Sequence, residues 1–245
     1  MSYVSNKSIF SRYFQRDKML DFARKAQIDI YAKFPFLAPN TRYCKRLSEK
    51  KAPLILDAGC GEGEQISIIK KMLPQAKISA VDINKSPLLP DADVDAFHEC
   101  NFNEDTLPFK DETFDYVYSQ HVLEHLHNPI HFLKECERVL RPGGCLYVEC
   151  PDVRWALLPH LPFITGTSGH FNFWDDPTHL RPWSRPALAR AVMMAGFTKR
   201  AKTFYVRKFA HMLVFPLMLV SRNDDFKTVF LHPILGLWCG VLVEK

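Results

Sequence analysis

Leu54-Ile-Leu-Asp57-Ala-Gly59-Cys-Gly61-Glu-Gly63-Glu64 constrains this chain more than any other stretch. A short apolar run stops at an acidic residue, and three glycines follow at alternate positions. A helical pattern then begins, with Ile66, Ile69, Met72 and Leu73 on one face. Strand, tight turn and helix N-terminus in that order can hold a polar ligand against bare backbone. Glycine is needed there where φ is positive or where a Cβ would collide with what is bound.

The rest of the chain alternates strand and helix around this turn. Leu54–Asp57 reads as a first strand followed by a helix over 63–73, and Lys77–Asp82 as a second strand. The Pro- and Asp-rich piece 84–93 has little helical character; 94–100 and 114–119 read as strands three and four. A helix over 128–140, stopped by Pro142-Gly143-Gly144, leads to strand five at 145–150. A helix at 184–195 and strands at 197–208 and 237–244 complete the pattern. The expected fold is α/β: a Rossmann-like, doubly wound, mostly parallel seven-stranded sheet with helices on both faces. Ligands of such sheets bind at the carboxyl ends of the strands.

Upstream, 8–34 reads as one amphipathic helix ended by Pro35 and Pro39. It either lids a site or closes one edge of the core. The expected division is therefore a helical cap over 1–51 and a main domain over 52–245. The main domain includes a long Pro-, His- and aromatic-rich loop at 151–183, of a length that is usually functional, and an apolar insert at 209–235. The apolar run in that insert is too short to span a membrane, so it reads as a helical hairpin that covers the site, pairs subunits or touches a membrane interface.

Charge is segregated. Residues 1–51 carry a net +8, 52–151 a net −9 and 152–245 a net +6. An acidic middle argues against a nucleic acid lying over the glycine turn, while the basic flanks suit solvent, an anionic substrate or a membrane surface. Seven cysteines without a CxxC pair fit reduced, buried thiols rather than a disulfide frame. With a polar, charged N-terminus in place of an apolar signal core, they point to a cytoplasmic location.

A dinucleotide site would have glycine five residues after the first, where this chain has Glu64. Asp57, two residues before Gly59, suits a ligand bearing an ammonium group better than a pyrophosphate. Further on come Val81-Asp82-Ile83-Asn84, Leu107-Pro108-Phe109 with Asp111 and Phe114-Asp115-Tyr116-Val117, His121-Val-Leu-Glu124-His125-Leu, and Leu140-Arg-Pro-Gly-Gly144. With LDAGCGEG at 56–63, these resemble, in order and spacing, the class I S-adenosylmethionine-dependent methyltransferases over about 50–200.

The resemblance implies S-adenosyl-L-methionine as cofactor. It puts Asp57, Gly59, Cys60 and Gly61 around the methionine portion and Asp82 on the ribose. Ile83 and Phe102 would sandwich adenine, with Asn101 at its edge in place of the family's frequent acid. Ser119 and Gln120 would line the sulfonium side. The element Asp176-Pro-Thr-His179-Leu-Arg181 resembles one found in methyltransferases of glycan pathways, which implies a hydroxyl or amine acceptor that is small or glycan-like, with a lipid-linked one in view. A scaffold that binds the cofactor without transferring a methyl is the alternative.

In that loop a neutral His179, with an ordinary pKa near ~6.5, could take a hydroxyl proton, oriented by Asp176. Arg181 could bind an anionic group, and Trp174 and Trp183 could stack on a ring. Equally, His179 and Arg181 could only pin the loop to the helix that Ser184 caps. His121/His125 and His127/His131 have i, i+4 spacing, but no carboxylate or cysteine set completes them in sequence, so no metal is expected. Oligomeric state is not legible.

Overall fold

The computed structural model describes residues 18–34, 39–158, 172–206 and 235–245, and every structural statement concerns those residues. Two helices, α1 (Lys18–Lys33) and α2 (Pro39–Leu47), precede β1 (Leu54–Ala58) and α3 (Glu64–Met72). Then come β2 (Lys77–Asp82), β3 (Ala96–Glu99), β4 (Phe114–Gln120), α4 (Pro129–Val139) and β5 (Leu140–Pro151). The series closes with α5 (Arg185–Met194), β6 (Lys202–Val206) and β7 (Trp238–Glu244).

The seven strands form one sheet in the order β3-β2-β1-β4-β5-β7-β6. The pairs from β3 through β5 are parallel, and β7 runs antiparallel to both β5 and β6. Strand order reverses between β1 and β4, so their carboxyl ends flank the crevice where such sheets bind ligands.

Alternation along the strands builds two cores, as side chains point to opposite faces in turn. Leu56, Ala58, Val117, Leu146 and Val148 face α4 and α5, joining Phe132, Leu133, Leu188 and Val192. Ile55, Ile78, Tyr116, Tyr118 and Tyr147 face the other way, joining Ile66 and Ile69 of α3 and Cys44 and Leu47 of α2. Asp115 is buried at the amino end of the sheet, where it accepts from the Leu54 amide at 2.8 Å and pairs with Lys50 and Arg141. The Phe114-Asp115 motif therefore fastens strands and has no place at the ligand end.

Several expectations shift. Pro39 opens α2 instead of ending a helix; a first-turn residue needs no amide donor there. Tyr31 of α1 packs on Ile68 of α3, so α1 closes a face of the core. Strand five is longer than expected, because Leu140 already pairs with Phe114 before a register shift at the glycine turn. All seven cysteines are free and buried. The insert 209–235, save its last residue, and 159–171 of the long loop lie outside the described residues. No helix among the described residues is long and apolar enough to cross a membrane.

Candidate active site

The turn after β1 is tied to β2 by backbone bonds: Gly59 and Cys60 amides donate to the Val81 carbonyl at 2.7 and 3.2 Å. Gly59 has φ +88°, and a Cβ there would stand 2.1 Å from Val122 Cγ2. The segment after β4 therefore lies directly on the turn. Gly63 has φ +74° as the N-cap of α3, with a Cβ position 2.5 Å from Pro90 Cδ. The third glycine, out of place for a dinucleotide site, thus serves helix entry and packing. A Cβ on Gly61 would meet nothing within 4 Å, which leaves that part of the turn open.

Asp57, next to last in β1, is only 2% exposed, and its Oδ1 has no hydrogen-bond partner among the described residues. Burial, with the nearby Asp82 charge adding to it, pushes the Asp57 carboxyl up to about 8. A buried carboxyl in that state is matched by a cationic ligand group. Asp82 accepts from the Gly61 amide at 2.8 Å through Oδ2 and from Ile83 at 2.7 Å through Oδ1. Burial raises its pKa against those bonds.

Ile83 is 54% exposed beside it, whereas Phe102 is buried against Phe132, ring centroids 4.8 Å apart, and faces the Gly59 turn. Asn101 Oδ1 already accepts from the Asn103 amide at 3.2 Å, leaving one lone pair for a ligand donor. Cys60 is buried in the turn, where burial raises its thiol pKa.

At the end of β4, Ser119 is fully buried with its Oγ unpartnered among the described residues. Gln120 is held in a network that sequence reasoning missed. Tyr118 donates to Gln120 Oε1 at 2.5 Å, Gln120 Nε2 donates to Glu149 Oε1, and Tyr147 donates to Glu149 Oε2 at 2.5 Å. A glutamate in the otherwise apolar strand Cys145-Leu-Tyr-Val-Glu149-Cys was the available signal.

The acceptor-side candidates separate on inspection. His179 Nδ1 bonds the Phe173 carbonyl at 2.7 Å, and the ring stacks on Phe173 with centroids 4.3 Å apart. Burial lowers its pKa, so the ring is held neutral with the lone pair on Nε2. Asp176 does not orient His179 as expected. Its Oδ1 is taken by the amide and hydroxyl of Thr178 at 2.8 and 2.6 Å, and its Oδ2 stands 3.8 Å from Nε2, the opposite ring nitrogen.

Trp183 is not a stacking platform: it is 7% exposed in the core, with its backbone bonded to Pro151 at 3.0 Å and Val153 at 2.6 Å. Trp174 is 56% exposed and remains available. Arg181 is exposed and donates to the His127 carbonyl at 3.1 Å.

Beside His179, the segment after β4 brings up Glu124 and His125. The Leu180 amide donates to the Glu124 carbonyl at 2.8 Å, and the rings of His125 and His179 lie 4.9 Å apart. The carboxylate that sequence spacing could not supply to the histidines is therefore present. His127 and His131 lead elsewhere, and His131 Nε2 lies 3.2 Å from the Asp105 carbonyl.

Residues 56–148 match the family model described as a methyltransferase domain. A probable S-adenosylmethionine-dependent methyltransferase of Mycolicibacterium smegmatis is 30% identical over 149 residues, 58% of this chain and 51% of that protein. A SAM-dependent methyltransferase from Archaeoglobus fulgidus shares the fold with TM-score 0.54 at 19% identity, over 83% of this chain and 93% of that one. This chain carries a class I S-adenosylmethionine-dependent methyltransferase domain.

A ubiquinone biosynthesis O-methyltransferase of Parvibaculum lavamentivorans is 31% identical to this chain over 128 residues, covering 51% of this chain and 49% of that protein. The chain spans about half the length of these two curated relatives. Its cofactor is S-adenosylmethionine, and the residues present fit that group. The unpartnered Asp57 oxygen meets the need of an ammonium, the open face at Gly61 leaves room for a chain, and Asp82 stands at the strand end beside exposed Ile83.

Proposed function

We propose that this methyltransferase places a methyl group on a hydroxyl oxygen of a small or glycan-like acceptor. S-adenosylmethionine, when bound, would supply an electrophilic methyl group for that oxygen, with its sulfonium sulfur as the leaving group that takes the bonding pair. The chain's own task is alignment and removal of the hydroxyl proton. Asp57 would hold the ammonium end, Asp82 the ribose hydroxyls, Ile83 and Phe102 the adenine faces and Asn101 its edge. Ser119 and Gln120, at the end of β4, would line the sulfonium side.

The observation that carries the acceptor reading is His179. With Nδ1 committed to the Phe173 carbonyl, its lone pair on Nε2 is oriented and neutral, a group suited to a hydroxyl proton. Exposed Trp174 offers a face for a ring and Arg181 a charge for an anionic substituent. The basic flanks extend the reading to acceptors carried on anionic lipid.

The test is transfer of a labelled methyl group to a panel of polyhydroxylated, phenolic and amine acceptors, free and lipid-linked. Incorporation into hydroxyl acceptors is expected. Tight cofactor binding with no incorporation into any acceptor would favour the non-catalytic scaffold, and incorporation into amines alone would overturn the hydroxyl assignment.

A further inference from the structure

We propose that Glu124, His125 and His179 form a site for one divalent transition-metal cation of the zinc and cobalt class. A carboxylate oxygen of Glu124 and one ring nitrogen from each histidine lie within 4.8 Å of one another. Glu124 is 0% exposed, and neither of its oxygens accepts an aligned hydrogen bond among the described residues. His121 Nδ1 at 3.3 Å and His125 Nε2 at 4.0 Å from Oε1 are the ring nitrogens that approach it. A fully buried carboxylate left in that condition is costly unless a cation meets it.

Both rings are already set as ligands. The single Thr178 hydroxyl proton goes to Asp176 Oδ1 at 2.6 Å, so Thr178 Oγ1, 3.0 Å from His125 Nδ1, accepts a proton from that ring. His179 Nδ1 likewise donates to the Phe173 carbonyl at 2.7 Å. Committing one ring nitrogen to a carbonyl or hydroxyl is how metal-binding histidines are oriented, with the other nitrogen bare. Here both bare nitrogens are Nε2. Asp176 Oδ2, 3.8 Å from His179 Nε2, stands at the edge of the set.

Two imidazoles with a carboxylate select zinc, cobalt or iron over magnesium and calcium, which take all-oxygen sets. Three protein ligands leave a coordination position open. Bonds of about 2.0–2.2 Å require the three groups to draw together slightly on binding.

The cation's role, though not its existence, rests on the methyl-transfer reading. His125 lies near Asp82, and Val122 touches the glycine turn, so the cluster sits beside the cofactor end of the sheet. An acceptor hydroxyl at the open position would lose its proton more readily. His179 would then act through the cation, and Asp176 Oδ2 would be the group placed to receive the proton.

The experiment uses the full chain stripped with chelator, without cofactor or acceptor, and so is decided independently of methyl transfer. Cobalt(II) is titrated by calorimetry and visible absorption, then displaced with zinc(II), with magnesium(II) as comparison. One equivalent of cobalt or zinc bound in the micromolar range or tighter, and magnesium bound far more weakly, is expected. Glu124→Gln and His179→Asn should each weaken cobalt binding at least about tenfold, and His127→Ala should leave it unchanged.

If either site variant fails to fold, nitrogen-15 shifts of the wild-type imidazoles on zinc addition decide the matter, with large changes expected at two Nε2 positions. Absence of saturable binding, binding indifferent to both folded variants, or unmoved Nε2 signals would overturn the site. In that case the rings of His121 and His125 alone would face the buried Glu124 carboxylate among the described residues.

Discussion

Asp82 at the end of β2 accepts the Gly61 amide at 2.8 Å, so the acid that closes the second strand also fixes the glycine turn of the first. Its other oxygen serves the Ile83 amide at 2.7 Å. One carboxylate thus organises two backbone donors next to the open face of Gly61. In an asparagine one of these two oxygens becomes an NH2 donor, so one amide loses its acceptor. Asp82→Asn should cost about 1–3 kcal/mol of stability. If Asp82 holds the ribose as proposed, the change should also weaken S-adenosylmethionine binding by more than tenfold, through loss of a charged acceptor. Calorimetric titration and thermal melts measure the two effects separately.

Asp57 sets a pH dependence. The unfolded chain releases this proton near the ordinary value of 3.8, while the folded protein holds it up to about 8. Its contribution therefore makes the fold less stable as pH rises from about 4 to about 8, and is flat above. A bound ammonium reverses the preference for the neutral form. Cofactor affinity should accordingly rise between pH 6 and 8 with release of a proton, visible in calorimetry in buffers of different ionisation enthalpy. In Asp57→Asn the proton release should vanish and affinity should fall roughly 10- to 100-fold. Proton release unchanged in the variant would refute this role for Asp57.

Gly59 tests the seating of the segment after β4. A methyl group at φ +88° and 2.1 Å from Val122 Cγ2 adds backbone strain to overpacking. Gly59→Ala should therefore cost on the order of 3 kcal/mol. For a domain of this size that is a fall of about 6–12 °C in melting temperature. Pairing it with Val122→Ala removes the steric part but not the strain, so the double variant should recover only part of the loss. Full recovery would mean that the positive φ carries no cost.

How legible the site was in sequence follows the range of each interaction. The turn at 57–63 and the acid at 82 are strand-end features, written in local spacing, and the apolar alternation that fixes the two cores of the sheet is equally local. Glu124 with His179 is different: 55 positions separate the two residues, and the Leu180–Glu124 backbone bond and the Thr178–His125 contact bring them together. Asp176 was misjudged for a related reason. Three residues from His179 in sequence, it is captured by Thr178 in a local turn, and a carbonyl, which no side-chain motif can advertise, takes His179 Nδ1. Trp183 was misread because aromatic content in a long loop looks the same whether the ring faces ligand or core.

The two tryptophans give opposite outcomes. Trp183 is enclosed by the core that holds Leu188 and Val192, and its backbone joins the loop to β5 through Pro151. Trp183→Ala should cost about 3–5 kcal/mol, seen as a large drop in melting temperature. Any loss of activity should then track the unfolded fraction. Trp174 stands 56% exposed at the edge of the loop that carries His179, with its ring set edge-on against Phe173, centroids 4.9 Å apart. Trp174→Ala should shift the melting temperature by a degree or two at most, as exposed substitutions stay within about 0.5 kcal/mol. If the ring stacks on the acceptor, KM for the acceptor rises several-fold while the Kd for S-adenosylmethionine holds. A rise in the cofactor Kd without a change in acceptor KM would place Trp174 outside the acceptor site.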